Sequence, residues 1–259
     1  MPASATRAWL KPSSHSASLF GSVGKGWEIV RVELPVASAN TTAPGAQPAR
    51  VVDLYTKAGG TGAYGSVIML SPDHGVGFAV LSAGPLPGFP GVVPVLGEAL
   101  LGTVLPALEI AARTEAGRQY GGRYSSSGHA VSVELAPQKP GLALTKWDFN
   151  GTDVLGIFGV DTIQLYPVGL ESEKIAGSRK VAFRGVMVPK LPQGPPGQER
   201  RPTKPPQYLH PCSTTWLQVD TMRYGGVALD EFVFETGETG RALALDIPAL
   251  RGAALKRVT

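Results

Sequence analysis

The chain has a single cysteine, Cys212, among its 259 residues. That excludes an internal disulfide and any cysteine-based metal cluster. Cys212 is left as a small buried hydrophobe or as one end of a bridge to a cysteine that the chain lacks. The four histidines, His15, His74, His129 and His210, are scattered, with neither H-x-x-x-H nor H-x-x-E spacing. No metal site and no cofactor are expected from them. His74 lies in a turn, where a solvated side chain is expected. No run of about 18 apolar residues occurs, so no membrane span is expected. The first 20 residues contain Arg7, Lys11 and His15 but no apolar core, which is not the pattern of a signal peptide. The sequons Asn40-Thr41-Thr42 and Asn150-Gly151-Thr152 do not place the chain outside the cell without such a signal, and the compartment stays open. Excess positive charge is also scarce outside one proline-rich segment. The formal net charge is +4, and the segment 190–204 alone carries Lys190, Arg200, Arg201 and Lys204 against Glu199. A nucleic-acid surface needs a basic stripe on folded structure, so no nucleic-acid partner is expected. Gly24-Lys25-Gly26 lacks the spacing of a P-loop.

What is present points to strands and turns. Hydrophobic residues make up 43% of the chain, enough to bury a core, and 33 glycines and 23 prolines favour short elements. Ala3 to Lys11 is a short helical candidate ended by Pro12. Ser13 to Ser16 is a polar turn suited to capping another short helix. Trp27 to Leu34 alternates like a strand, and Ala37 to Pro48 is a loop of small residues. Val51 to Gly84 reads as three strands, VVDLYTKA, YGSVIML and GVGFAVLSA, with turns at Gly59 to Gly62 and Ser71 to Asp73. Gly84 to Pro94 is a loop. Val95 to Arg118 is the one long helix, with Leu96, Leu100, Leu101, Val104, Leu105 and Leu108 at three- and four-residue steps and a kink expected at Pro106.

Beyond Arg118 the period changes. AVSVEL, LALTKWDF, GIFGVDTIQLYPVG, KVAFRGVMV, TWLQVDTM, DEFVFET, ALALDI and ALKRV are short strand-like segments separated by polar turns. They predict a small barrel or sandwich, with Trp147, Phe149, Phe158, Trp216, Phe232 and Phe234 as its internal positions. The expected fold class is therefore α+β: residues 1–117 form an antiparallel sheet with a packing helix, and 118–259 an all-β barrel-like domain. The proline-rich stretch 189–211 cannot form a helix or an interior strand and reads as an insertion between two strands.

Lys57 is the residue in this chain most readily connected with catalysis. An ammonium at a strand end, followed by glycines that let a ligand approach the backbone, suits a substrate bearing a carboxylate or a developing oxyanion. YTKAGGTGAYGSVIMLSPDHGVGFAVLSAG resembles the third conserved block of the serine β-lactamase and penicillin-binding-protein family, in which a K-[ST]-G triad precedes glycine-rich residues and two strands. RAWLKP, VGKGWEIVR, YGGRYS, CSTTWLQVD and DEFVF further resemble its fungal β-lactamase-like branch, in its C-terminal portion. The resemblance implies that Lys57 belongs to the active-site hydrogen-bond network. It implies that Gly59 and Gly60 begin a strand edge bordering the substrate. Gly60 or Thr61 would then supply a backbone donor to the oxyanion hole. Ala58 stands where the family has Ser or Thr, so a hydroxyl that contacts substrate is missing.

The other two family motifs do not fit. Ser22-Val-Gly-Lys25 matches S-x-x-K and Ser38-Ala-Asn40 matches S-x-N, in the right order before Lys57. The nucleophile, however, needs a helical turn placing Ser and Lys on one face. Gly21, Gly24 and Gly26 disfavour a helix there by roughly 1 kcal/mol each, and the motifs lie too close together. Both matches are read as chance. Asp230-Glu231, at a strand start, is read as an exposed pair rather than a glycosidase pair. Three functional readings follow. The chain is the C-terminal portion of a β-lactamase-like hydrolase and inactive alone, its N-terminal half missing. Alternatively, it is the downstream half of a longer, active serine hydrolase acting on β-lactam, ester or D-amino-peptide substrates. A third reading makes the barrel a small-ligand binding module. A small-molecule substrate is a partner only where the active site is completed.

Overall fold

The computed structural model describes residues 2–35, 49–84, 91–136, 141–189 and 219–258. The Ala37–Pro48 loop, the proline-rich stretch, Cys212, Ser38-Ala-Asn40 and Trp216 lie outside them or nearly so. The chain divides into two compact units, the first formed by Met1–Ala112 and the second beginning at Arg113.

The first unit opens with helix α1 (Ala3–Trp9) and continues as an antiparallel meander. Its strands are β1 (Pro12–His15), β2 (Gly21–Gly24), β3 (Glu28–Pro35), β4 (Ala49–Thr61), β5 (Tyr64–Ser71) and β6 (Val76–Ala83), lying side by side in chain order. The three strands expected within Val51–Gly84 are β4, β5 and β6. Ser13 to His15 caps no helix. It pairs with β2 as an edge strand exposed along its whole length, which removes the alternation that sequence reading relies on. The expected turn at Gly59 to Gly62 is also shorter than read. Strand β4 runs on through Gly59 and Gly60 to Thr61, and only Gly62 (φ +55°) and Ala63 form the turn.

Side chains alternate across β4. Val52 and Leu54 face helix α2 (Val92–Tyr120) and, with Leu34, form a core against Leu105, with Val32, Phe78, Leu101 and Leu108 packed around them. Full burial of each large aliphatic side chain contributes about 1.5–3 kcal/mol, so this cluster anchors the helix to the sheet. By length and composition α2 is apolar enough to cross a membrane. No uninterrupted apolar run marks it in the sequence, because Pro94, Gly97, Glu98 and Thr103 interrupt the run without making the segment polar. Leu101, Leu105 and Leu108 pack against the sheet, whereas Val95 and Leu96 are exposed.

The second unit contains a closed eight-stranded antiparallel barrel. Its strands include β7 (Gly122–Ser126), β8 (His129–Leu135) and β9 (Leu142–Phe149), followed by the short β10 (Thr152–Asp153) and helix α3 (Val154–Ile157). Then come β11 (Val160–Glu171), β12 (Arg179–Pro189), the small hairpin β13 (Arg223–Tyr224) and β14 (Val227–Ala228), β15 (Glu231–Thr236), β16 (Ala242–Asp246) and β17 (Leu255–Val258). The ring runs β9-β11-β12-β15-β16-β17-β7-β8, and β8 pairs back to β9 to close it. Trp147, Phe232 and Phe234 fill the interior with Tyr124, Leu144 and Ile163, and Phe158 packs against them. Phe149 was expected inside but is 39% exposed. It is the last residue of β9, beyond the layer that the barrel closes over. In the TWLQVDTM segment, Val219 to Thr221 form a turn rather than a strand.

The YGGRYS signature has a physical reason. Helix α2 ends at Tyr120, and a side chain on Gly121 would collide with the Gly117 carbonyl. Gly122 has φ +148°, accessible to glycine and costly for other residues. The Tyr124 hydroxyl donates to the Tyr120 carbonyl at 2.6 Å, and burial pushes its pKa up to about 12. Arg257 donates to the carbonyls of Gln119 (2.9 Å), Ala242 (3.2 Å) and Gly121. It thereby satisfies the helix C-terminus with a cation, where the helix dipole favours one.

Candidate functional site

Lys57 lies within β4, four residues before its end, not at the strand end expected from the glycines. The β3–β4 ladder finishes at the Glu28–Thr56 pair, whereas β4 stays paired with β5 as far as Thr61–Tyr64. From Lys57 to Thr61, among the described residues, β4 is therefore paired on one side only. Gly59, Gly60 and Thr61 line a depression of about 450 Å³ together with Tyr64, Ser66 and Leu81. Leu81 and Tyr64 are 80% and 64% exposed, and Ile68, the cross-strand partner of Lys57, is also exposed. The structure thus brings the four expected site residues onto one stretch of strand with one free edge.

The ammonium of Lys57 is not free. Its Nζ lies 2.5 Å from Glu28 Oε1, with both side chains about half exposed. Sequence reading missed this partner, 29 residues away, because only the β3–β4 register reveals it. On the same face Arg31 forms a two-point ion pair with Asp53 at 2.8 and 3.0 Å. That hydrogen-bonded pairing raises the Arg31 pKa. Burial raises the pKa of the neighbouring Tyr55 hydroxyl. The WLK and GWE signatures pack beside Tyr55: Trp9 lies tilted against Trp27 with ring centroids 5.0 Å apart and donates to the Lys25 carbonyl, and Trp27 meets Tyr55 edge-on.

Ser22 lies in extended β2, so Ser22 and Lys25 do not share a helical face. Its Oγ is 3.0 Å from His15 Nδ1. Asp230 is buried rather than exposed. It accepts from Arg184 (3.0 Å) and from the Asp220 backbone N–H (2.7 Å), holding β12 to the turn before β13. No group of three or more His, Cys, Asp or Glu able to hold a metal occurs among the described residues.

His74 corrects the reading of a solvated turn histidine. Its side chain is 2% exposed. Nδ1 is 2.7 Å from Ser71 Oγ and Nε2 is 2.9 Å from Glu109 Oε1 on α2. Glu109 also accepts from Arg50 Nε at 2.6 Å, and Arg50 reaches Asp73 at 3.0 Å. Ser, His and Glu in this order have the connectivity of a nucleophile, base and orienting group. Ser71 is fully buried, however, with no surface open to a substrate. The cluster is a polar lock between the β5–β6 turn, β4 and α2. The sequence offers one signal for it, an acidic residue, Glu109, within a leucine-rich helix, and sequence reading passed over it.

A family model described as "Beta-lactamase-like-like, C-terminal domain" matches residues 112–258. A beta-lactamase-like protein of Arthroderma benhamiae is 30% identical over 285 residues, covering 98% of this chain and 44% of that relative. The chain thus spans less than half the length of the curated relative it matches. No solved structure matches.

Proposed function

The chain belongs to the family defined by the beta-lactamase-like-like C-terminal domain, and on that premise we propose that it forms one wall of a serine-hydrolase active site whose nucleophile lies outside it. The single observation carrying this reading is the one-sided edge of β4 from Lys57 to Thr61, beside an open depression. A free strand edge next to an ammonium suits a substrate with an extended backbone and an anionic group. Lys57 would exchange Glu28 for the substrate's anion, and Gly60 or Thr61 would donate a backbone N–H to the oxyanion. Gly59 and Gly60 let the substrate approach without a side chain in the way.

Acyl transfer also needs a nucleophile and a base within hydrogen-bond reach. Lys57 alone supplies neither, so the chain by itself is inactive. In the second reading, a longer product carrying S-x-x-K on a helix acts on β-lactams, esters or D-amino-peptides through the same wall. The barrel as a ligand-binding module has less support, because aromatic side chains occupy its interior. We place the domain boundary near residue 117, so that limited proteolysis leaves a resistant fragment beginning there. The test of inactivity is an assay of the purified chain with nitrocefin, a chromogenic ester and a D-amino-peptide. No turnover is expected; turnover abolished by Ser22→Ala would overturn the reading.

A further inference from the structure

Thr152 of β10 pairs with Phe149 at the end of β9, so Asn150 and Gly151 are the two central residues of that hairpin turn. Both have positive φ, +50° and +77°. This is the sign pattern of a type I′ turn, for which Asn-Gly is a favoured pair. Two hydrogen bonds fix the turn: the Asn150 N–H donates to the Gly128 carbonyl, and the Gly151 N–H donates to Asp148 Oδ1 at 3.1 Å. Asn150, Gly151 and Thr152 are all exposed. Asn150 Oδ1 rests against Gly128, where no side chain would fit, and no hydrogen bond among the described residues engages Nδ2. Phe149, next to the turn, is 39% exposed although its ring also meets His129 edge-on at 5.1 Å.

We propose that Asn150 carries an N-linked glycan whose first N-acetylglucosamine packs on the Phe149 ring. Asn150-Gly151-Thr152 is an N-x-[ST] acceptor sequence, and an acceptor must present its asparagine on an exposed turn or loop. The chain has two asparagines, Asn40 and Asn150, and both stand in such sequences. In the transfer, Nδ2 forms a C–N bond to the anomeric carbon of a lipid-diphosphate-linked oligosaccharide. The bond from that carbon to the diphosphate breaks, the diphosphate leaves with the electron pair, and Nδ2 gives up one proton to a base of the transferase. Pyranose C–H groups carry a small positive charge, and the face of an aromatic ring is negative. A sugar on the residue that follows Phe149, where the chain doubles back at once, has that ring as an apolar surface to cover. This accounts for a phenylalanine at the strand end, where the barrel core does not use it. The site lies on the barrel and does not depend on the reading of Lys57.

The test secretes the full chain from a yeast behind a cleavable leader, with Asn40→Gln so that Asn150 is the one remaining acceptor. Glycan release by an amidase in heavy-oxygen water leaves a labelled aspartate at a former glycan site, which peptide mass mapping separates from spontaneous deamidation. Most secreted molecules should carry the glycan at Asn150, and Thr152→Ala should remove it. Urea unfolding of the barrel is then followed by near-ultraviolet circular dichroism. Trimming to a single N-acetylglucosamine should leave the midpoint unchanged, and removing that last sugar should lower it. The drop should vanish in Phe149→Thr, which keeps a strand-forming residue at the end of β9. The aspartate left by the amidase is common to both backgrounds and cancels in the comparison. An unmodified Asn150 in the secreted chain overturns the proposal. So does a midpoint indifferent to the last sugar, or a drop of the same size in Phe149→Thr.

Discussion

Lys57 Nζ and Glu28 Oε1 stand 2.5 Å apart, Glu28 on the last rung of the β3–β4 ladder and Lys57 one residue beyond it. This ion pair marks where β4 loses its second neighbour. Because both side chains are about half exposed, solvent screens the pair, and exposed pairs contribute only about 0–1 kcal/mol. Glu28→Gln should therefore shift the urea unfolding free energy of the first unit by less than about 1 kcal/mol. A loss above about 2 kcal/mol would mean that the pair is a structural tie and that Lys57 is not available to a ligand.

Glu109 presents the opposite case. It is 8% exposed and shared between Arg50 and the enclosed His74. Removing one partner from a buried charge pair costs about 3–5 kcal/mol, because the other charge is left without compensation. Glu109→Ala should lower the midpoint of the first unit's unfolding transition sharply, while near-ultraviolet circular dichroism of the barrel aromatics is retained. A change below about 1 kcal/mol would show that Arg50 and His74 find other partners.

His129 makes the barrel sensitive to acid. Trp147 Nε1 donates to His129 Nε2 at 2.9 Å, so that nitrogen must be unprotonated. Burial lowers the His129 pKa, with nearby Asp148 opposing the shift. A folded pKa below the unfolded value means that the stabilisation is complete above the unfolded pKa of about 6.5. It is lost as pH falls from there through the folded pKa. Urea titrations between pH 8 and pH 5 should show the wild type losing more stability than His129→Phe as the pH falls. Equal slopes for the two proteins would contradict this assignment.

Arg257 holds the C-terminus of α2 through the carbonyls of Gln119 and Gly121 and ties it to β16 through that of Ala242. Hydrogen bonds to a charged group contribute about 1.5–3 kcal/mol. Arg257→Ala should destabilise the second unit by about that much. Arg257→Lys should recover only part of the loss, because an ammonium cannot reproduce the planar fork. Full rescue by lysine would mean that charge at the helix end matters and geometry does not.

The sequence made the barrel legible because its strands are short, alternate between faces and are separated by polar turns. LALTKWDF coincides with β9. The meander's central strands were legible for the same reason. Strand β1 was not, since PSSH is exposed on both faces and leaves no alternation to detect. The length of β4 was misjudged because Gly59 and Gly60 look like a turn, whereas pairing with Ser66 and Gly65 holds them extended. Of the site, Lys57, Gly59, Gly60 and Thr61 could be read from one block. Glu28 could not, because only the register of β3 on β4 brings it to Lys57. His74 was misread because turn residues are usually solvated, and its burial depends on Glu109, 35 positions away.

The most direct measurement joins the uncovered part of the Arthroderma benhamiae relative ahead of this chain in one polypeptide and follows nitrocefin or ester hydrolysis. If β4 forms one wall of a completed site, the joined protein turns over substrate, and Lys57→Ala lowers kcat/KM by roughly a hundredfold or more, the scale of losing one oxyanion-type contact. Hydrolysis that proceeds unchanged in Lys57→Ala would contradict it.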